Sequence, residues 1–172
     1  ILISSKTLNT DNPKLDCRLK GYEKFSPKRV ILDEDLSINY NSYIYKSAKK
    51  NNTIIFHNST NNLKIAILKK KQINLYRMKY SKNNNFDLKK IRKKLYNLDV
   101  RNLLVEGGDK LTKNFMKSRL FNQFYLFKSP KILPKSKKHV IFTSLNILNK
   151  IYGVKSRFSS KLAKDNISIY KR

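Results

Sequence analysis

The chain has a single cysteine, Cys17, and no tryptophan. One thiol can build neither an intrachain disulfide framework nor a cysteine metal cluster. Its two histidines, His57 and His139, lie far apart, and no HExxH occurs. The usual helical zinc pair is therefore excluded, and His57, in the strand-like TIIFH, reads as structural. No apolar run approaches the ~18 residues that a membrane-spanning helix requires. No secretory leader is visible. Acidic residues are scarce, 11 against 39 Lys and Arg, which leaves a net charge of +28. So basic a chain attracts anions: nucleic acid, anionic membrane or phosphorylated small molecules. Lys far outnumbers Arg and Asn is abundant, so AT-rich codon usage explains part of the excess. No Lys-rich run stands out as interleaved with aromatics, as a single-strand-binding groove requires. A phosphorylated ligand is accordingly expected ahead of nucleic acid.

Glycine is also scarce, with four in 172 residues, and two of them are adjacent, Gly107 and Gly108. They sit in NLLVEGGDKLTKNF, residues 102–115. Leu103, Leu104 and Val105 form a short apolar run that predicts a buried strand, with Glu106 at its C-terminal end. Leu111, Phe115 and Leu120 then recur close to one helical face. A strand, a carboxylate, a Gly-Gly turn and a helix N-terminus offer backbone N–H donors and a positive dipole end to a phosphate. The same grammar also describes an ordinary strand-to-helix turn.

The remaining chain alternates between strand and helix signals. Residues 1–3 read as the end of a buried strand. The Asn-, Asp- and Ser-rich stretch 4–18 is expected to be a loop, with Asn12-Pro13 starting a turn. It carries Thr7, Asp11 and Arg18, whose hydroxyl, carboxylate and planar guanidinium suit a polar or phosphorylated ligand; a solvated loop is the plainer alternative. Strands are expected at 29–33, 53–57, 73–78 and 124–127, and a short helix at 42–51. Residues 63–68 fit either state, and 83–85 form a polar loop. Leu88, Ile91, Leu95 and Leu98 mark an amphipathic helix. Pro130 and Pro134 bracket a loop, 147–152 is undecided, and two alternating segments around 164–166 predict a terminal β-hairpin. The pattern implies one α/β domain with helices on the faces of a mixed, mostly parallel sheet. The chain begins with Ile1 inside an apolar run, so a preceding segment is expected.

Four segments together resemble the reductase domain of the bifunctional riboflavin-biosynthesis deaminase/reductase, a family similar in fold to dihydrofolate reductase. The first is the Thr-x-x-x-Asp-[Asp/Asn]-Pro-x-Leu-x-x-Arg loop: Thr7, Asp11, Asn12, Pro13, Leu15 and Arg18. The others are PKRVILD at 27–33, LVEGGDKL at 104–111 and PKIL at 130–133. Their order and separation agree over nearly the whole chain. The resemblance implies NADPH-dependent reduction of 5-amino-6-(5-phosphoribosylamino)uracil to its ribitylamino product. It implies that Thr7 and Asp11 contact NADPH, and that Gly108, Asp109, Lys110, Leu111, Thr112, Lys113 and Asn114 wrap its phosphates. Leu15, Arg18 and Glu106 would contact the substrate, Arg18 at its phosphate. Asp11 and Glu106 are the carboxylates available for catalysis.

The chain departs from the family at Ser4, Ser5 and Lys6, where glycines are common, at Glu34, where Ser is common, and at Pro134, where Gly is usual. The family's first strand and helix are expected to precede Ile1, as is any zinc deaminase domain with its H-x-E and P-C-x-x-C signature. On this reading residues 1–172 form a single, N-terminally truncated reductase domain, cytoplasmic, homodimeric and inactive alone, with no metal and no membrane attachment. Two alternatives are a pterin or dihydrofolate-type reductase of the same fold, in which Arg18 has no obvious use, and a basic non-catalytic nucleic-acid-binding domain.

Overall fold

The computed structural model describes residues 1–80, 85–131, 142–151, 154–159 and 166–171. They form two compact units, 1–107 and 108–172.

The first unit holds four parallel strands in the order β1-β2-β3-β4: β1 (Leu2–Ser4), β2 (Arg29–Leu32), β3 (Thr53–His57) and β4 (Asn74–Arg77). Leu2 pairs with Val30, Val30 with Ile54, and Ile54 with Asn74. Every residue of β2 and β3 is buried, as a parallel strand covered on both faces requires. Alternation along the strands divides the core. Ile3, Ile31 and Ile55 pack with Leu8 of α1 (Ser5–Asp11), Ile44 of α2 (Tyr43–Lys46) and Leu68 of α3 (Asn62–Lys70). On the other face Phe56 meets the Tyr76 ring, and Lys94 of α4 (Leu88–Tyr96) lies over Tyr76 at 4.4 Å. Helices thus cover both faces of this sheet.

Three expectations change here. The stretch 4–18 is not a loop throughout, because its first half is α1. Ser4 caps that helix by accepting from the Thr7 N–H, and Leu8 is buried. The helix stops at Asn12, which takes the left-handed conformation and returns its N–H to Leu8 O, immediately before Pro13. The polar composition concealed a capped helix of little more than one apolar residue. Residues 103–105 are not a buried strand either. Val105 alone bridges Leu2 in parallel, through Leu2 N–H to Leu104 O and Glu106 N–H to Leu2 O. Leu104 is 60% exposed, so burial on both faces, inferred from the apolar run, does not hold. The undecided segment 63–68 is the helix α3.

The second unit contains α5 (Asp109–Lys117), α6 (Ser144–Ile151) and a three-stranded antiparallel sheet. Its strands β5 (Gln123–Lys128), β6 (Val154–Ser159) and β7 (Asn166–Lys171) are ordered β5-β7-β6. The terminal hairpin is therefore present; its connecting residues 160–165 lie outside the described residues, as do 83–84, 152 and most of the Pro130–Pro134 loop. The parallel strands make up the four-stranded sheet of the first unit, and β5 with the terminal hairpin makes up the three-stranded antiparallel sheet of the second. Met116, Leu148 and Tyr170 form the local core. Leu111 and Phe115 are buried as their spacing implies, but Leu120 lies beyond the end of α5, and Met116 supplies the next buried side chain. No described helix is long and apolar enough to cross a membrane.

Candidate active site

In a parallel sheet all the carboxyl ends lie along one edge, where ligands of α/β proteins bind. In the first unit this edge collects Ser4 at the end of β1, Asp33 after β2, His57 at the end of β3 and Glu106 after the Val105 bridge. Thr7 sits in the first turn of α1, its hydroxyl 3.1 Å from Ser4 Oγ. Asp11, the last residue of α1, is exposed. Leu15 has a positive φ of 52° and packs partly against the core. Arg18 is exposed and makes no hydrogen bond or ion pair with a described residue. Glu106 is exposed, its backbone held by Leu2. The first unit thus presents an Arg18 guanidinium without a partner among the described residues, on the loop after α1, and two exposed carboxylates, Asp11 at the end of α1 and Glu106 after the Val105 bridge.

Asp33 and His57, by contrast, are structural. Asp33 is fully buried and accepts from Ser37 N–H, Ser37 Oγ and Ile38 N–H, each at 2.8 Å. It braces a turn in which Leu36 has positive φ. His57 is buried, with Nδ1 3.2 Å from Ser59 O, and burial lowers its pKa.

In the second unit the run 108–114 divides by role. Gly108 is the N-cap residue of α5 and provides no side-chain cap, so the first-turn N–H groups are not covered by a capping side chain. Its φ of −68° suits any residue, and a Cβ added there meets nothing within 4 Å. Neither a positive φ nor close protein neighbours therefore demand glycine at 108, although glycine is a favoured residue at an N-cap. Lys110 is exposed and Leu111 is buried in the core. Asp109 is committed elsewhere. Its Oδ1 accepts from Ser144 N–H at 2.8 Å and Ser144 Oγ at 2.6 Å, and its Oδ2 accepts from Thr143 Oγ1 at 2.7 Å. Lys113 Nζ donates to Thr143 Oγ1 at 2.7 Å and lies 3.5 Å from Asp109 Oδ2. The carboxylate thereby caps the start of α6 and clasps it to α5.

The family model of the RibD C-terminal domain matches residues 1–166. The chain belongs to the RibD C-terminal domain family. It is 31% identical over 133 residues to the riboflavin biosynthesis protein RibD of Aquifex aeolicus, a match covering 77% of this chain and 35% of that protein. It is 29% identical over 155 residues to RibD of Buchnera aphidicola, covering 83% and 40%. The chain thus spans little more than a third of the curated relatives it matches. Among solved structures, a pyrimidine reductase-like protein from Corynebacterium diphtheriae aligns over 99% of this chain and 74% of its own, with TM-score 0.70 and 14% identity. RibD of Acinetobacter baumannii aligns over 99% and 46%, with TM-score 0.70 and 16% identity. These likenesses establish the α/β fold, with its parallel four-stranded sheet and terminal antiparallel hairpin.

Within this RibD C-terminal domain the motif residues Thr7, Asp11, Leu15, Arg18 and Glu106 all fall in the first unit, and 108–114 in the second. Among the described residues no group of three or more His, Cys, Asp or Glu side chains could hold a metal. Sequence reasoning passed over Asp16 and Tyr43, whose contacts, with those of Asn12, shape the Arg18 loop; nothing about a tyrosine in a short helix marks it. It also passed over a basic-aromatic surface at 18–28, where Tyr22 and Phe25 are exposed beside Lys20, Lys24 and Lys28. Lys24 Nζ lies 5.2 Å from the Phe25 ring centroid.

The clasp is pH-dependent in one direction. Hydrogen bonds from Ser144, then Thr143, hold the Asp109 carboxyl well below its ordinary value of 3.8. A depressed pKa contributes stability above the unfolded value that is lost as pH falls through the folded one. Asp109→Ala is expected to cost ~1.5–3 kcal/mol at neutral pH, measured by urea unfolding. The difference from the parent should begin to narrow below about pH 4, where the carboxyl of the unfolded parent takes up a proton, and should be lost fully only as pH falls through the lower folded value.

Proposed function

We propose that the chain is the reductase domain of a RibD-type protein. The reaction is NADPH-dependent reduction of 5-amino-6-(5-phosphoribosylamino)uracil to 5-amino-6-(5-phosphoribitylamino)uracil. The observation that carries the reading is the free Arg18 guanidinium, on the loop that follows α1, in the same unit as the exposed Glu106. A planar guanidinium with no internal partner suits a phosphate dianion. A pterin substrate has no such group for it to bind. The family match across both units supports reading 1–172 as one reductase domain. The greater length of the relatives supports a zinc deaminase domain joined to it in the full-length protein.

The residues present fit a dinucleotide cofactor. The first turn of α5 has N–H groups without a side-chain cap, Gly108 leaves open space, and Lys110 adds an exposed positive charge. These groups would hold the cofactor phosphates, with Thr7 and Asp11 as further polar contacts. Leu111 acts through the backbone only, because its side chain is buried. Asp109 and Lys113 act indirectly, by fixing α5 against α6. NADPH, when bound, would supply the hydride to C1 of the ribosylamine in its open, imine-like form, in which the ring C1–O bond has already broken and the nitrogen takes up a proton. Arg18 anchors the substrate phosphate, Leu15 lends an apolar edge, and Glu106 and Asp11 provide carboxylates that hold the amine and move its proton. The basic surface speeds encounter with two polyanionic reactants.

Turnover of the full-length protein, followed by nicotinamide absorbance, tests the reading. Arg18→Ala is expected to raise the substrate KM by about 10- to 100-fold, the worth of a charge-assisted phosphate contact, with the NADPH KM little changed. Equal effects on both constants would remove Arg18 from the substrate phosphate.

Gly108→Val separates the two ligands. A Cβ at 108 meets nothing within 4 Å, so the fold should persist with only the small loss of a poorer N-cap, while NADPH affinity, titrated by fluorescence, falls at least ~10-fold. Glu106→Gln should lower turnover and leave NADPH affinity within about a few-fold. The opposite pattern would assign this turn to the substrate and Glu106 to the cofactor.

A further inference from the structure

Tyr43, the first residue of α2, holds the Arg18 loop at three alternate positions. Its backbone N–H donates to Asn12 Oδ1 at 2.8 Å, its ring lies under Lys14 Nζ at 5.4 Å, and its hydroxyl donates to Asp16 Oδ2 at 3.0 Å. Tyr43 is itself fixed from behind. Its carbonyl accepts from Ser47 Oγ at 2.6 Å, and Ser47 Oγ accepts from the buried Arg29 Nη1 at 2.7 Å. The Arg29 guanidinium donates to Ser47 and Thr53, yet its charge lies close enough to Asp16 for the two to attract.

The loop needs such restraint. Asn12 and Leu15 both have positive φ, 44° and 52°. For leucine that conformation costs ~1–2 kcal/mol and persists only where surrounding contacts over-determine it. Asp16 is a costly way to supply the contact, because Oδ1 is buried without a hydrogen-bond partner among the described residues. An unpaired buried carboxylate oxygen destabilises the fold, so stability alone does not account for this residue. Its effect is local: it pins the backbone two residues before Arg18, whose guanidinium is free.

We propose that Tyr43, acting through Asp16, is a positioning residue that aims Arg18 at the substrate phosphate and so sets the preference for phosphorylated over unphosphorylated substrate. The proposal rests on reading Arg18 as the phosphate ligand. Tyr43→Phe removes one hydroxyl and keeps the ring and its backbone contacts, so the fold should persist, checked by thermal melting.

In the full-length protein Tyr43→Phe should raise the KM for phosphorylated substrate about 10-fold, with kcat and NADPH KM within about twofold. The effect should vanish with the dephosphorylated substrate and in an Arg18→Ala background. Asp16→Ala should match Tyr43→Phe, and Asp16→Asn, which keeps an acceptor for the hydroxyl, should restore most of the affinity. The same comparison is read without turnover by calorimetric binding of ribose 5-phosphate, weakened by Tyr43→Phe only where Arg18 is present. Absence of reductase activity alongside that binding pattern would overturn the assigned reaction and leave the positioning role standing. A loss that persists in the Arg18→Ala background, or that falls equally on unphosphorylated substrate, overturns the positioning role, as does failure of the parent protein to bind ribose 5-phosphate.

Discussion

Parallel hydrogen bonding through β1, β2 and β3 is the constraint on which the first unit depends. Because Leu2 pairs with both Val30 and Val105, β1 has a neighbour on each side. Every strand of this sheet then ends on the same edge, and whatever follows a strand is delivered there: α1 after β1, the Asp33 turn after β2, Glu106 after Val105. Parallel strands bury both faces, so Val30, Ile31, Ile54, Ile55 and Phe56 are nearly or fully inaccessible. The edge is therefore rigid at its roots, while Glu106, which projects from it, and Asp11 and Arg18, on and after α1, remain exposed.

Charge is distributed unequally between structure and surface. The buried charged groups are tied to neutral partners: Arg29 to Ser47 and Thr53, Asp33 to Ser37 and Ile38. Asp109 is satisfied by Ser144 and Thr143 more than by Lys113. With 11 acidic residues against 39 Lys and Arg, the carboxylates are too few to pair one to one with the cations. Such a surface draws anions toward the molecule over about a Debye length, but selectivity requires particular cations held in place. The contacts around Tyr43 and the clasp at Asp109 supply that restraint in each unit, by hydrogen bonds of defined direction rather than by net charge.

Much of this was legible in the residues. TIIFH and RVIL are strongly β-prone, apolar and short, and they fold as strands at those positions. Leu88, Ile91 and Leu95 keep helical spacing and are buried. The Thr7–Arg18 and LVEGG patterns led to the family that the comparisons establish. What failed did so for local reasons. Ser4 and Asn12 read as loop residues, although the same residue types cap helices at their two ends. Leu104 read as core, although an apolar side chain next to a single bridging residue need not be covered on both faces.

Sequence alone determined most of the element types, the family and the residue chemistry offered to a ligand, because periodicity, turn composition and motif spacing are local properties of the chain. Tertiary structure alone decided which of those residues are free to act. Asp109 and Arg18 are both charged motif residues, yet one is spent on Ser144, 35 positions away, and the other has no partner among the described residues. Glycine at 108 resembled a conformational requirement until its φ proved ordinary and its surroundings open. Tyr43 had no signal at all. Its hold on Asp16 spans 27 residues, and a hydrogen bond between segments so far apart exists only once α2 and the loop after α1 have been brought together.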